Sequence, residues 1–72
     1  MIRYAIVVEK SPTSYGAYVP DLPGCVAAAE TRTEVLQLIR EAIEFHIETM
    51  REGGLVVPEP SSSAEYVEVA PV

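Results

Sequence analysis

The stretch VPDLPGCVAA, residues 19–28, places two prolines, an aspartate, a glycine and the one cysteine of the chain side by side. Such a stretch is either a reactive loop or a rigid corner between two strands, and the order of its residues favours the corner. Pro20 ends an extended run. Pro23, with φ fixed near −65°, and Gly24, free to take positive φ, fit the two central positions of a type II turn from Leu22 to Cys25. Asp21 can fold its carboxylate onto nearby backbone amides. Cys25 as a nucleophile would need a base and a lowered pKa, and the sole histidine, His46, has no orienting partner beside it in sequence. Cys25 therefore reads as a half-buried small residue at the start of the next strand.

Working outward from the corner, the segment before it, YGAYV (15–19), reads as a strand with Tyr15, Ala17 and Val19 on one face and Tyr18 on the other. The segment after it, CVAAA (25–29), reads as a strand whose small side chains let another layer approach closely. Upstream, KSPTS is turn material, and IRYAIVVE (2–9) is β-branched, aromatic and alternating, with Ile2, Tyr4, Ile6 and Val8 on one face. Its other face carries Arg3, Ala5, Val7 and Glu9. Apolar residues on both sides of its middle predict a central strand covered on both faces. Downstream, LVVPEP is extended because Pro58 and Pro60 restrict the residues before them. EYVEV (65–69) alternates as a fourth strand.

The clearest element is a helix. Thr31 followed by Glu34 forms a capping box, the hydroxyl taking one orphan amide and the glutamate reaching back to another. Gly53 and Gly54 supply a stop after Glu52, which gives about 21 residues and roughly 31 Å. At 100° per residue, Val35, Ile39, Ala42, Ile43, His46 and Met50 share one face, with Glu41, Glu44, Glu48 and Arg51 opposite. Leu36 and Ile47 widen the apolar face on one side, and Leu38 with Phe45 on the other, to about 200°, roughly double what covering a small sheet requires. Leu38 and Phe45 are the residues this reading assigns to a partner. His46 reads as a core histidine, since a metal would need further ligands aimed at the same point and Glu44 and Glu48 point away from it.

Size and charge bound the function. Ordering 72 residues costs on the order of 110 kcal/mol, which core burial in so short a chain only about balances. One domain over residues 1–72 is expected, with self-association as its support, because a single cysteine excludes an internal disulfide and no Cys/His cluster has zinc spacing. A homodimer is the simplest expectation. The net charge is −6, and the five basic residues Arg3, Lys10, Arg32, Arg40 and Arg51 are scattered, so direct binding of nucleic acid is not expected. The N-terminal apolar run is too short to span a bilayer and lacks a signal-peptide cleavage pattern, which predicts a cytoplasmic protein without membrane association.

The motif Pro20, Asp21, Leu22, Pro23, Gly24 and Cys25, the small residues after it, the helix start at Thr31 and the late Pro58-Glu59-Pro60 together resemble the HicB family of bacterial antitoxins, and the resemblance covers residues 2–69. It implies an α+β domain with a partial ribonuclease H-like fold, β-β-β-α-β, in which one helix packs on a four-stranded mixed sheet of order 3-2-1-4. It implies no cofactor and no catalytic activity. It also implies a partner, a small basic toxin of the HicA type, an RNA-cleaving enzyme that the antitoxin blocks by direct binding. Leu38 and Phe45, with Glu41, Glu44 and Glu48 as the acidic surround, are the expected partner-binding residues; the six motif residues are expected to be structural. Two departures stand out. Many family members carry a C-terminal DNA-binding module, which is not expected here because the sequence stops at Val72, and position 30 is Glu where the family often has glycine.

Two other classes compete. A ribonuclease H-like nuclease needs carboxylates converging on two metal ions, one of them from the middle of the first strand, where this chain has Ala5, Ile6 and Val7. The other rival is a solitary homo-oligomer with a structural or unknown binding role and no toxin.

Overall fold

The computed structural model describes residues 2–71; Met1 and Val72 lie outside the described residues. The chain begins with β1 (Val7–Lys10), turns through Ser11 to Ser14, and returns as β2 (Tyr15–Tyr18). The turn is self-bonded: Ser11 N donates to Ser14 O, and Ser14 N donates to the Ser11 hydroxyl. After the PDLPG corner the chain runs back as β3 (Val26–Ala29) and then enters α1 (Arg32–Glu52). Both strand pairings are antiparallel, with Val7 opposite Tyr18 and Tyr18 opposite Val26.

The corner forms as its residues dictate. Cys25 N donates to Leu22 O at 3.0 Å and Gly24 has φ 84°, the positive value that the third residue of a type II turn demands. The helix also follows its punctuation. Thr31 is the N-cap, and its hydroxyl accepts from Glu34 N at 3.1 Å. The reciprocal half differs from a capping box, since the Thr31 hydroxyl donates to Glu34 Oε1 at 2.8 Å and so links the two side chains directly. At the other end Gly54, at φ 71°, donates to Arg51 O, and Leu55 N donates to Met50 O, the paired bonds of a Schellman stop.

The core lies between α1 and the face of the sheet formed by β2 and β3. Ala17, Val19, Leu22, Cys25, Val35 and Ile39 are buried, with Tyr4, Ile6, Val8, Tyr15, Ala27, Ala29, Ala42 and Ile43 packed around them. Cys25 is fully buried rather than half-buried as expected. The opposite face of the sheet, including Tyr18, Val26 and Ala28, is open.

The expected four-stranded sheet is corrected by the structure. The α+β class stands, but as β-β-β-α with three antiparallel strands in the order β1-β2-β3. The first strand is an edge rather than the centre, and it spans Val7–Lys10 rather than residues 2–9. Residues 65–69, expected as the fourth strand of the order 3-2-1-4, form no strand and extend into solvent; Tyr66 is 99% exposed and Val67 and Val69 are each 82% exposed. The cause is where the chain is held after the helix. The Tyr4 hydroxyl donates to Pro58 O, and Ser61 and Ser62 bond to Asp21 at the corner, so the segment is drawn past residues 3–5 to the 19–25 corner. Pro58 and Pro60 lack the amides that a ladder would use.

Candidate interaction surface

Asp21 sits in the corner as a four-bond acceptor. Its Oδ2 accepts from Ser61 N (2.9 Å) and Ser62 N (3.0 Å), and its Oδ1 accepts from the Ser61 hydroxyl (3.1 Å) and the Ser62 hydroxyl (2.7 Å). The backbone amides of Ser62 and then Ser61, with the Ser62 hydroxyl, hold the carboxyl down to about 2 from 3.8. The amides it takes therefore lie forty residues away, not nearby as the sequence suggested. The other motif residues are structural. Leu22 and Cys25 fill the core, Gly24 permits the turn, and Pro20 and Pro23 are exposed on its outside. Burial pushes the Cys25 thiol pKa up, which keeps it protonated and unreactive.

The helix presents a second feature. Val35 and Ile39 face the core, whereas Leu38 is 42% exposed and Phe45 72% exposed. Seven residues apart, they lie about 10 Å from one another along nearly the same line of the helix. Glu34, Glu41, Glu44 and Glu48 are exposed on the same element, and Gln37 Nε2 donates to Glu41 Oε2 at 2.8 Å, which steadies that carboxylate. A shallow depression lined by Thr33, Glu34, Gln37 and Leu38 adjoins the stripe. An apolar stripe set among carboxylates suits a partner that is apolar at its centre and basic around it.

A third feature is a groove of about 490 Å³ between the N-terminal segment and α1, with Ile2, Tyr4, Ile6, Leu36, Ile39 and Ile43 along its walls and Arg40 and Glu44 at its rim. It opens beyond β1, along the side where a fourth strand would have lain. An adjoining depression carries Arg3 and Arg51. Sequence reading missed this groove and the Asp21 latch. Only the strand-like pattern of residues 65–69 hinted that the side beyond β1 wanted a neighbour.

The other candidates stay apart. Glu9 is on β1, Glu41, Glu44 and Glu48 are on the outer side of α1, and Glu65 and Glu68 are on the outstretched tail. Among the described residues, no three His, Cys, Asp or Glu side chains gather as a metal site would require. His46 is half-buried on the core-facing side of α1. Among the described residues, no helix is long and apolar enough to cross a membrane.

Known proteins share this arrangement. The chain is similar to a solved chain from the "HicA3 and HicB3 toxin-antitoxin complex", with a TM-score of 0.71 and 30% identity over 83% of this chain and 70% of that one. "Antitoxin HicB 2" of Photorhabdus laumondii is 32% identical over 94% of this chain and 50% of its own length. An uncharacterised 14.9 kDa protein of Haemophilus phage HP1 is 39% identical over 89% of this chain and 48% of its own. The chain thus spans about half the length of these two relatives. A UPF0150 protein of Archaeoglobus fulgidus is 37% identical over 69% of this chain and 74% of its own. Residues 4–71 match the family described as "HicB_like antitoxin of bacterial toxin-antitoxin system", and the chain belongs to that HicB-like antitoxin family.

Proposed function

We propose that this chain, as a single non-catalytic domain in the cytoplasm, binds and neutralises a small basic RNA-cleaving toxin of the HicA type. The observation that carries the reading is the likeness to a chain of the HicA3–HicB3 complex across most of this chain's length. The acidic helix face adds a physical reason. Leu38 and Phe45 supply apolar anchors, and Glu41, Glu44 and Glu48 supply attraction for a basic partner. Recognition on this reading is between proteins, with no direct contact to nucleic acid.

The test is co-expression with a HicA-type toxin, beginning with any basic reading frame beside the gene. Growth arrest by the toxin alone, relieved by this chain and not by its Phe45→Glu variant, is the expected result. A toxin neither relieved nor co-purified by the chain would overturn the reading.

The functional unit in this proposal is a homodimer. Only six hydrophobic residues are buried among the described residues, and Tyr18 and Val26 leave the outer sheet face apolar and exposed, so one copy alone has little core to spare. If no toxin partners this chain, the dimer remains as a solitary HicB-like protein.

A further inference from the structure

We propose that two copies of this chain exchange arms, residues 65–69 of each lying in the groove between residues 2–6 and α1 of the other. The inference deepens the homodimer of the proposed function by naming its contact, and it does not depend on the toxin.

Three observations meet in it. The first is shape. The described chain has a radius of gyration of 14.2 Å and extends 50 Å by 26 Å by 20 Å. A compact chain of this length has a radius of gyration of about 11 Å. Residues 63–71 are all exposed. A solvated arm is normally polar, yet this one carries Tyr66, Val67 and Val69 in an alternating, β-branched run of about 17 Å when extended. Val67 and Val69 share one side of it with Glu65, and Tyr66 shares the other with Glu68.

The second observation is the groove, which offers what the arm lacks. Its walls are aliphatic and aromatic, and it lies between α1 and residues 2–6, the segment that leads into the edge strand β1. The third is charge. From residue 59 onward the described chain carries Glu59, Glu65 and Glu68 and no basic residue, whereas Arg40 and Glu44 stand at the groove rim and Arg3 and Arg51, with Glu59, line the adjoining depression. The arm is apolar and acidic, the groove is apolar, and the charged groups along the groove and its adjoining depression are three arginines to two glutamates, all within the same sequence.

Exchange between copies follows from how the arm is rooted. The bonds from Asp21 to Ser61 and Ser62 fix its base at the 19–25 corner, and from there it leaves its own body instead of returning to its own groove. A reciprocal swap about a two-fold axis satisfies both arms at once and closes the assembly at two copies. Leu38 and Phe45 lie outside this contact, and Glu44, at the groove rim, is the one residue assigned to the proposed toxin that borders it.

Light scattering on the full chain at micromolar concentration tests this. The unmodified protein is expected at twice the chain mass of 7.8 kDa. Val67→Glu, at a position already exposed, is expected to halve that mass with an unchanged circular dichroism spectrum. Val26→Glu on the outer sheet face and Phe45→Glu on the helix are expected to leave the dimer intact. A monomeric unmodified protein, which is what an arm folded into its own groove gives, would overturn the exchange. So would a dimer that survives Val67→Glu and Val69→Glu, or one lost in Val26→Glu alone. Toxin binding that fails while Val67→Glu still halves the mass counts against the proposed function and leaves arm exchange standing.

Discussion

Asp21 joins two parts of the chain forty residues apart, and its charge state decides whether they stay joined. Its carboxyl pKa falls to about 2 in the folded protein from 3.8, so the unfolded state takes up its proton first as the pH drops. The stabilisation is therefore fully present above 3.8 and is lost as the pH falls through about 2. Asp21→Asn keeps one acceptor oxygen and removes the charge. The difference in thermal midpoint between the variant and the unmodified protein is expected to be largest near neutrality and to shrink toward pH 2, with faster amide exchange at Ser61 and Ser62 in the variant. Equal midpoint differences at both ends of the range would show that the carboxylate is not what holds the tail. Gly24 and Leu22 beside it act through the backbone and the core. Gly24→Ala meets no neighbour but must hold φ 84°, at a cost of about 1 kcal/mol. Leu22→Ala empties a site only 1% exposed and is expected to cost about 3 kcal/mol, read from the urea midpoint. The turn was legible in Pro23-Gly24 because it depends on those two residues alone. The Asp21 latch was not, because serines in a distant segment carry no mark of the carboxylate they will meet.

At the scale of elements, legibility followed locality. The helix runs from Arg32 to Glu52, as read, because its signals sit within one turn of each end. Thr31→Ala removes the cap acceptor for Glu34 N and is expected to cost about 1 kcal/mol of stability, measured by chemical denaturation. A change below a few tenths of a kcal/mol would mean that other first-turn contacts already satisfy that amide. Residues 65–69 show the opposite case. Alternation and β-branching mark a segment suited to a pleated, half-buried surface, but they do not choose its partner. The same pattern is compatible with a strand in this chain or with an arm that leaves it, and the anchors at Pro58, Ser61 and Ser62 go with the arm. The first strand was shortened for the same reason. Its apolar residues at 2–6 read as central, yet without a neighbour on that side they border an open groove.

For the molecule as a whole, this distribution separates two kinds of surface on a very small body. The groove and the depression beside it carry Arg3, Arg40 and Arg51 with Glu44 and Glu59, while the outward helix face holds Glu34, Glu41 and Glu48 beside Leu38 and Phe45. The width of the apolar helix arc was visible in the sequence, but which part of it the sheet covers was not, and the structure leaves Leu38 and Phe45 outside. If the proposed toxin docks there, charge and apolar contact have separate kinetic signatures. Long-range attraction mainly raises the association rate, and the screening length drops from about 10 Å at 0.1 M salt to about 3 Å at 1 M. The association rate is therefore expected to fall across that range, and to fall less steeply for Glu41→Gln/Glu48→Gln. Phe45→Ala changes no charge, so its association rate should stay near that of the unmodified protein. Losing a buried anchor costs about 1 to 3 kcal/mol, which speeds dissociation by about 5- to 150-fold. Surface plasmon resonance at two salt concentrations measures both. A Phe45→Ala variant that dissociates at the unmodified rate would place the toxin on a different face, and an association rate insensitive to salt would remove the carboxylates from the encounter.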